Sequence, residues 1–255
     1  MPGDAYDTLA TVYDWIVPDA MLTPEGNAAA FAPYLTSLPA GARVLDCSAG
    51  TGRLAVGLAL QGFDVVATDA SAGMVERIRA LAAEHGVDVP AHESLWDDLG
   101  GLGLAPFDAV LCVGNSLAHA PGRDARRRAL SAMAEVTKPG GMLVLTSRNF
   151  EFMRAAGTGL QTFDHVVVRD GRRGLVIYSW WLAEDWDDRH SFDVAVALIG
   201  DDGAVTTHGE RLSFWPYRRE TLDEDLRAAG LEPETTTWEA DVDRYLVTAR
   251  RRPPS

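Results

Sequence analysis

Two kinds of hydrophobic pattern run along the chain. Leu9, Val12, Tyr13 and Ile16 recur at helical spacing between Tyr6 and Val17, which predicts an amphipathic helix. A second helix is expected over 25–37. Pro39, Ala40 and Gly41 then break the chain, and Ala42 to Cys47 reads as a short buried strand that ends in a Ser-Ala-Gly-Thr-Gly turn. Helices and strands alternate from there. A helix over 53–61 stops at Gly62, a strand covers 64–68, a helix covers 72–85 and ends near Gly86, and a strand covers 89–93. A nearly all-apolar strand over 107–113 precedes a helix over 123–137, ended by Lys138-Pro139-Gly140-Gly141, and a strand over 142–147. Continuous apolar strands separated by helices predict a parallel sheet covered on both faces.

The pattern changes after residue 150. Segments 163–169, 174–182, 192–199 and 204–214 are rich in Val, Phe, Trp and Thr, with Asp170-Gly171 and Asp201-Asp202-Gly203 between them. Those are hairpin signals, so this stretch is expected to be antiparallel. A helix over 219–229 ends at Gly230, and strands follow near 233–239 and 243–249. The predicted fold class is therefore α/β, a Rossmann-like, doubly wound, mostly parallel sheet carrying an antiparallel β insertion as a lid. Residues 1–150 and 213–255 form the core with an N-terminal helical cap, and 151–212 form the lid. No internal repeat or low-complexity block interrupts this.

Composition narrows the function classes. The 255 residues include 23 Lys plus Arg against 37 Asp plus Glu, a net charge of −14, which disfavours nucleic acid and anionic membranes as partners. Lys138 is the only lysine, a bias that suggests a GC-rich bacterial source. Two cysteines, Cys47 and Cys112, both inside apolar runs, exclude a disulfide framework and a Cys-rich zinc site. They fit a reduced cytoplasmic protein. No basic-then-apolar leader and no apolar run near 20 residues is visible, so a soluble chain is expected.

The candidate chemistry begins at Asp46-Cys-Ser48-Ala-Gly50-Thr-Gly52, where the first parallel strand turns into its helix. Small residues there let a ligand approach the main chain, and the helix start presents N–H groups. Two cofactor classes compete. Gly50-x-Gly52-x-x-Ala55 matches the dinucleotide pattern, with Asp69 placed 17 residues after Gly52 as a ribose-binding acid. A sulfonium methyl donor, S-adenosylmethionine, also fits. Asp46 would repel a pyrophosphate but suits a cationic amino-acid moiety, which favours the methyl donor over a nicotinamide cofactor.

Val44 to Gly52, Val66-Ala-Thr-Asp69-Ala70-Ser71 with Met74, and Pro139-Gly-Gly-Met-Leu-Val-Leu resemble class I S-adenosylmethionine-dependent methyltransferases over about residues 40–150. Val113-Gly-Asn115-Ser116-Leu-Ala-His119, Thr146-Ser-Arg148-Asn149-Phe150 and Leu212-Ser-Phe-Trp215-Pro216-Tyr217 resemble the glycine/sarcosine N-methyltransferase branch. Ser48, where Ala is usual, and the N-terminus and insertion depart from that branch. The resemblance implies a cofactor site of Asp46, Ser48, Gly50, Gly52, Asp69, Ala70, Met74, Leu95, Trp96 and Val113. Asp69 would accept both ribose hydroxyls, with a helix N-cap as its alternative role. Met74 and Trp96 would pack on the adenine, or else belong to the core.

The same resemblance implies that Asn115 contacts the acceptor and that Arg148 holds an amino-acid carboxylate, as a guanidinium fork suits. For Asn115 the alternative is a turn, and for Arg148 a surface ion pair. His119 is a candidate general base or a structural histidine. Tyr13, Tyr178 and Trp215 are expected to line the acceptor pocket. The acidic run 184–188 reads as a solvated loop, and no metal site is expected. The expected activity is in-line N-methylation of a small amine or amino-acid-like acceptor. O- or C-methylation of a natural-product intermediate is the alternative, and a nicotinamide-dependent oxidoreductase is the rival class. The acceptor's identity, the number of methyl transfers and the oligomeric state stay open at this level.

Overall fold

The computed structural model describes residues 12–104, 106–157, 159–163, 165–186 and 188–253. Of the helix expected from Tyr6, the part before Val12 lies outside the described residues. The rest forms α1 (Tyr13–Ile16), and α2 (Pro24–Leu35) follows. Thr23 caps α2 by accepting the Gly26 N–H at 3.1 Å, and Pro24 occupies a position where its missing N–H costs nothing.

The alternation predicted next is present. It runs β1 (Arg43–Asp46), α3 (Arg53–Leu60), β2 (Asp64–Asp69), α4 (Ala72–His85), β3 (Ala91–Glu93), β4 (Phe107–Cys112), α5 (Gly122–Val136) and β5 (Thr137–Arg148). Ser71 caps α4 by accepting the Met74 N–H, and Gly86 ends it in a left-handed conformation. Later come α7 (Arg219–Ala228), β11 (Leu231–Thr236) and β12 (Arg244–Arg251). The seven strands form one sheet in the order β11-β12-β5-β4-β1-β2-β3. β1 to β5 pair in parallel, whereas β12 is antiparallel to both β5 and β11. The order reverses between β1 and β4, which opens a crevice at their carboxyl ends. Leu45, Leu111, Leu143 and Leu145 are fully buried in this sheet, each contributing about 1.5–3 kcal/mol of burial.

The second sheet runs β10 (Val205–Phe214), β9 (His190–Ile199), β8 (Arg172–Trp181), β6 (Gly159–Thr162), with β7 (Val167–Arg169) also on β8, all antiparallel. Alternate residues face inward, including Val176, Trp180, Phe192, Val194 and Val196. α1 packs beneath this sheet. Trp15 lies so close to Gly174 that a Cβ there would meet its ring at 2.5 Å.

Three local expectations need correction. β5 starts at Thr137, not at Met142, because the Pro-Gly-Gly stretch bulges out. Phe107 faces Thr137 while Ala109 faces Met142. Among the described residues of the strand expected over 163–169, only 167–169 lie in a strand. The preceding residues instead hold β6 and a helix, α6 (Phe150–Ala156), that the hydrophobic pattern did not predict. Asn149 starts α6 by accepting the Phe152 N–H at 3.1 Å. The described part of the acidic run 184–188 is irregular, as expected of a loop.

α7 is fastened to α5 by a buried carboxylate. Asp225 is fully buried and accepts from Arg123, Arg126 and Arg127 at 2.7–2.9 Å. Those partners hold its carboxyl below the usual carboxylate range against the upward push of burial.

Candidate functional site

The loop after β1 is built from its own backbone. Gly50 at φ 53° and Gly52 at φ 85° turn the chain back on itself. A Cβ on Gly52 would stand 3.0 Å from the Ile78 backbone on α4, whereas Gly50 faces open space. Asp46 is 1% exposed and has the Ser48 N–H as a partner at a long 3.4 Å. Burial, with a smaller push from the Asp69 charge, raises its carboxyl to about 7. Ser48 turns its hydroxyl toward the Val113 carbonyl at 3.4 Å, which joins this loop to the end of β4.

Asp69 closes the loop from the neighbouring strand. One carboxylate oxygen accepts the Gly50 N–H at 2.8 Å and the other the Ser71 N–H at 3.0 Å. Burial raises its pKa, and the N–H groups of Ser71, Gly50 and Ala70 oppose the rise. Each oxygen keeps a lone-pair direction for a hydroxyl donor. The cap of α4 is Ser71, so the alternative role for Asp69 as N-cap does not apply. Met74 is buried at the start of α4. Leu95 is 49% exposed just beyond β3. Trp96 is half-buried, packs on the core and donates its indole N–H to the Cys47 carbonyl at 2.8 Å. This set fits a sulfonium amino-acid cofactor. A buried acid with one weak partner suits an ammonium, an open glycine leaves room for the chain, and a two-oxygen acceptor suits a ribose diol.

The neighbouring half of the edge is assembled from several elements. Gly114 and Asn115 both take left-handed φ values, 77° and 69°, at the end of β4. The Gly114 N–H donates to the Thr146 hydroxyl at 2.8 Å, and Asn115 Oδ1 accepts the Arg148 N–H at 2.9 Å. With that oxygen engaged, Asn115 offers a ligand the donors of its amide nitrogen. The Arg148 side chain is 13% exposed, and its guanidinium lies 4.6 Å over the Trp180 ring and 6.0 Å from that of Phe192. The inward face of the antiparallel sheet thus lies against the carboxyl end of β5. Burial first, then the nearby Arg244 charge, lowers Arg148 to about 10.

Tyr178 stacks on Phe192 with centroids 5.3 Å apart and feels the charges of Arg148 and Arg244. Burial raises the Tyr13 phenol, and the charges of Arg53, Arg244 and Asp69 act on it. Trp215 is half-buried and donates its backbone N–H to the Ala118 carbonyl at 2.8 Å. His119 is held otherwise than a general base requires. Its Nδ1 bonds the Ser213 carbonyl at 3.0 Å, its ring packs on Phe214, and burial lowers its pKa to about 4. A ring so poised is neutral and weakly basic at pH 7.

Two residues of this region were not anticipated from sequence. Arg53 ties the N-terminal segment to the loop, donating to the Leu22 carbonyl at 2.7 Å and pairing with Asp14 at 2.6 Å. Arg244 stands opposite Arg148 in the β5–β12 ladder. Nothing local marks either one, because Leu22 and Asp14 for Arg53, and Arg148 for Arg244, lie far away in the chain. Among the described residues no group of three or more His, Cys, Asp or Glu is placed to hold a metal, and no helix is long and apolar enough to cross a membrane.

Residues 44–141 match a family described as "Methyltransferase domain". Glycine N-methyltransferase of Mus musculus is 30% identical over 203 residues, covering 73% of this chain and 68% of that protein. The CcbJ methyltransferase from Streptomyces caelestis shares the fold with a TM-score of 0.77 at 23% identity, over 97% of this chain and 98% of that one. The sugar N-methyltransferase KedS8 from Streptoalloteichus sp ATCC 53650 superposes with a TM-score of 0.71 at 25% identity, over 98% of this chain and 94% of that one.

Proposed function

We propose that this chain, which belongs to the class I S-adenosylmethionine-dependent methyltransferases, N-methylates a small amine that carries a carboxylate. The chain is a small-molecule methyltransferase with S-adenosylmethionine as methyl donor. When bound, that cofactor supplies a methyl group on a sulfonium, a leaving group already activated.

Asp46 would hold the cofactor's ammonium, and Asp69 its ribose hydroxyls. Ser48, Gly50, Gly52, Ala70 and Val113 would line its path, and Met74, Leu95 and Trp96 would flank the adenine. On the acceptor side, Arg148 would fork onto the carboxylate, with the Asn115 amide N–H, Tyr13, Tyr178 and Trp215 completing the pocket. The antiparallel sheet would serve as a lid that excludes water, which helps keep an amine neutral and nucleophilic. The acceptor's ammonium would give one proton to water before binding, so that the pocket presents a nitrogen lone pair in line with the methyl group the cofactor would supply, S-adenosylhomocysteine being the leaving group. Positioning supplies most of the acceleration. His119, weakly basic and tied to Ser213, does not suit the proton abstraction that an O- or C-acceptor asks for. A rate that rises toward alkaline pH follows, since ammonium lacks a lone pair. A bacterial cytoplasmic setting fits the free, buried Cys47 and Cys112 and the arginine-dominated basic set.

The observation that carries this reading is Arg148. It is a nearly buried cation at the carboxyl edge, and among the described residues the acid paired with it, Asp243, stands at 3.9 Å. A nearly buried guanidinium so weakly paired suits a further anion. A glycine N-methyltransferase among the relatives and a sugar N-methyltransferase among the structural neighbours both have names that specify nitrogen. The stacked rings of Tyr178, Phe192 and Trp180 favour a second reading, an amino sugar acceptor.

The test is a methyl-transfer screen of amino acids, their decarboxylated amines, amino sugars and phenols. The highest kcat/KM is expected for a carboxylated amine. A best acceptor that is an uncharged phenol or sugar, methylated normally by Arg148→Ala, would overturn the carboxylate assignment.

A further inference from the structure

β12 is antiparallel to β5, and its register sets Arg244 directly opposite Arg148. Residues directly opposite in an antiparallel pair project to the same face with Cβ atoms about 5 Å apart, where like charges repel. Here both are arginines. One carboxylate oxygen, Asp243 Oδ2, is shared between them and lies 3.9 Å from each guanidinium, the outer limit of an ion pair. The Asp243 side chain is 62% exposed, so it screens the pair only weakly. The backbone around the pair is rigid, since the Asn149 N–H donates to the Asp243 carbonyl at 2.8 Å and Asn115 holds the Arg148 N–H. The Trp180 ring covers one face of the Arg148 guanidinium and leaves its in-plane donors available. Arg244, with its side chain 54% exposed, borders the same space, for its charge acts on the hydroxyls of both Tyr13 and Tyr178.

Two cations on one face of the ladder share a single exposed carboxylate oxygen at the outer limit of an ion pair, an arrangement suited to a further anion. A carboxylate has two oxygens with about four acceptor directions, enough for two guanidinium forks. We propose that Arg244 is a specificity-determining residue, which clamps the acceptor's carboxylate together with Arg148. The clamp rests on the proposed carboxylated-amine acceptor and deepens it. Decarboxylated amines and neutral sugars leave both arginines unmatched and are rejected for that reason.

The experiment separates anion binding from methyl transfer. Trifluoroacetate is titrated by fluorine NMR into the protein saturated with S-adenosylhomocysteine, in the wild type, Arg244→Gln and Arg173→Gln. Arg173 lies on the antiparallel sheet, exposed, and controls for loss of a single positive charge. Arg244→Gln is expected to weaken trifluoroacetate binding about tenfold or more, as loss of a charge-assisted fork implies, with S-adenosylhomocysteine affinity unchanged. Its melting temperature is expected to equal or exceed that of the wild type, because the cross-strand repulsion is gone. A residue with a merely structural role would not give lower anion affinity together with undiminished stability. Should Arg244→Gln fail to fold, Arg244→Lys keeps the charge, loses the fork, and is expected to bind the anion more weakly than the wild type. Wild-type anion binding in the variant that folds, or an equal loss in Arg173→Gln, overturns the clamp. If carboxylated amines are good substrates and their KM is unmoved by Arg244→Gln, the clamp fails while the proposed function stands. If the anion binds through Arg244 but no carboxylated amine is methylated, the proposed function fails and the acceptor clamp with it, leaving an anion site only.

Discussion

Beyond β1 and β2 the carboxyl edge of the sheet is finished by short runs of consecutive residues. Asp46 to Gly52 and Asp69 to Met74 supply nearly every group, and main-chain N–H groups of Gly50 and Ser71 hold the Asp69 carboxylate. Beyond β4 and β5 the edge is finished by single side chains from remote elements. Arg148 meets Trp180 of β8, Arg244 of β12 and Asp243, while Asn115 reaches the Arg148 main chain. One half is a fixture of backbone geometry, which suits a constant cofactor. The other is a mosaic of exchangeable side chains, which lets the acceptor change while the sheet stays the same.

If the halves are independent, substitutions should separate them. The largest expected effect is on the acceptor side. Arg148→Ala should lower kcat/KM for the true acceptor more than a hundredfold, since two charge-assisted hydrogen bonds contribute about 3 kcal/mol or more together. S-Adenosylmethionine affinity by calorimetry should stay within about twofold, because the fork acts on another ligand. A parallel loss of cofactor affinity would break the comparison.

The next effect is the mirror image. Asp69→Ala should weaken the cofactor about ten- to a hundredfold, as loss of charge-assisted bonds of about 1.5–3 kcal/mol implies. Acceptor KM at saturating cofactor should stay put. Steady-state kinetics with both substrates varied distinguishes the outcomes.

The smallest effect is a pH dependence confined to the cofactor half. Asp46 rises to about 7 in the unliganded fold, against an ordinary value near 3.9. Between those values the folded chain binds more protons than the unfolded one. The contribution of Asp46 to stability therefore falls as pH rises from about 4 to 7. A cofactor ammonium favours the charged carboxylate. S-Adenosylmethionine affinity should therefore climb with pH, by at most about tenfold per unit, and level off above about 7. Asp46→Asn should remove this slope. Calorimetry from pH 5.5 to 8.5 that gave the same slope in the variant would remove Asp46 from the ammonium site.

The same contrast decided what could be read in advance. The alternation from β1 to β5 and the hairpins after residue 150 are written in local periodicity, and α4 matches its expected bounds, 72–85. The cofactor half was legible for the same reason, since an acid ending a strand and two glycines lie side by side in sequence. α6 escaped notice because its start signal is a single capping Asn149 inside a stretch read as strand end and motif. The acceptor half was legible residue by residue but not as an assembly. Arg148 and Asn115 were expected near each other, yet the hydrogen bond from the Arg148 main chain to Asn115 Oδ1 depends on a left-handed residue that no pattern announces. His119 reads in sequence as either a base near neutral pH or a structural histidine, and only its burial and its bond to Ser213 weigh for the second. Arg244 and the Asp225 cluster depend on register and on partners about a hundred residues away, and distance of that kind leaves no local trace.

The place of β12 in the sheet also sets how much chain must be closed before each half of the edge is complete. Arg148 and Arg244 pair across the whole stretch 149–243, whereas β1, β2 and β4 find one another within 43–112. Closing the longer loop carries the larger entropic cost, and the antiparallel sheet must form inside it. The loops after β1 and β2 are thus closed by pairings nearer in sequence than the one that sets Arg148 and Arg244 side by side.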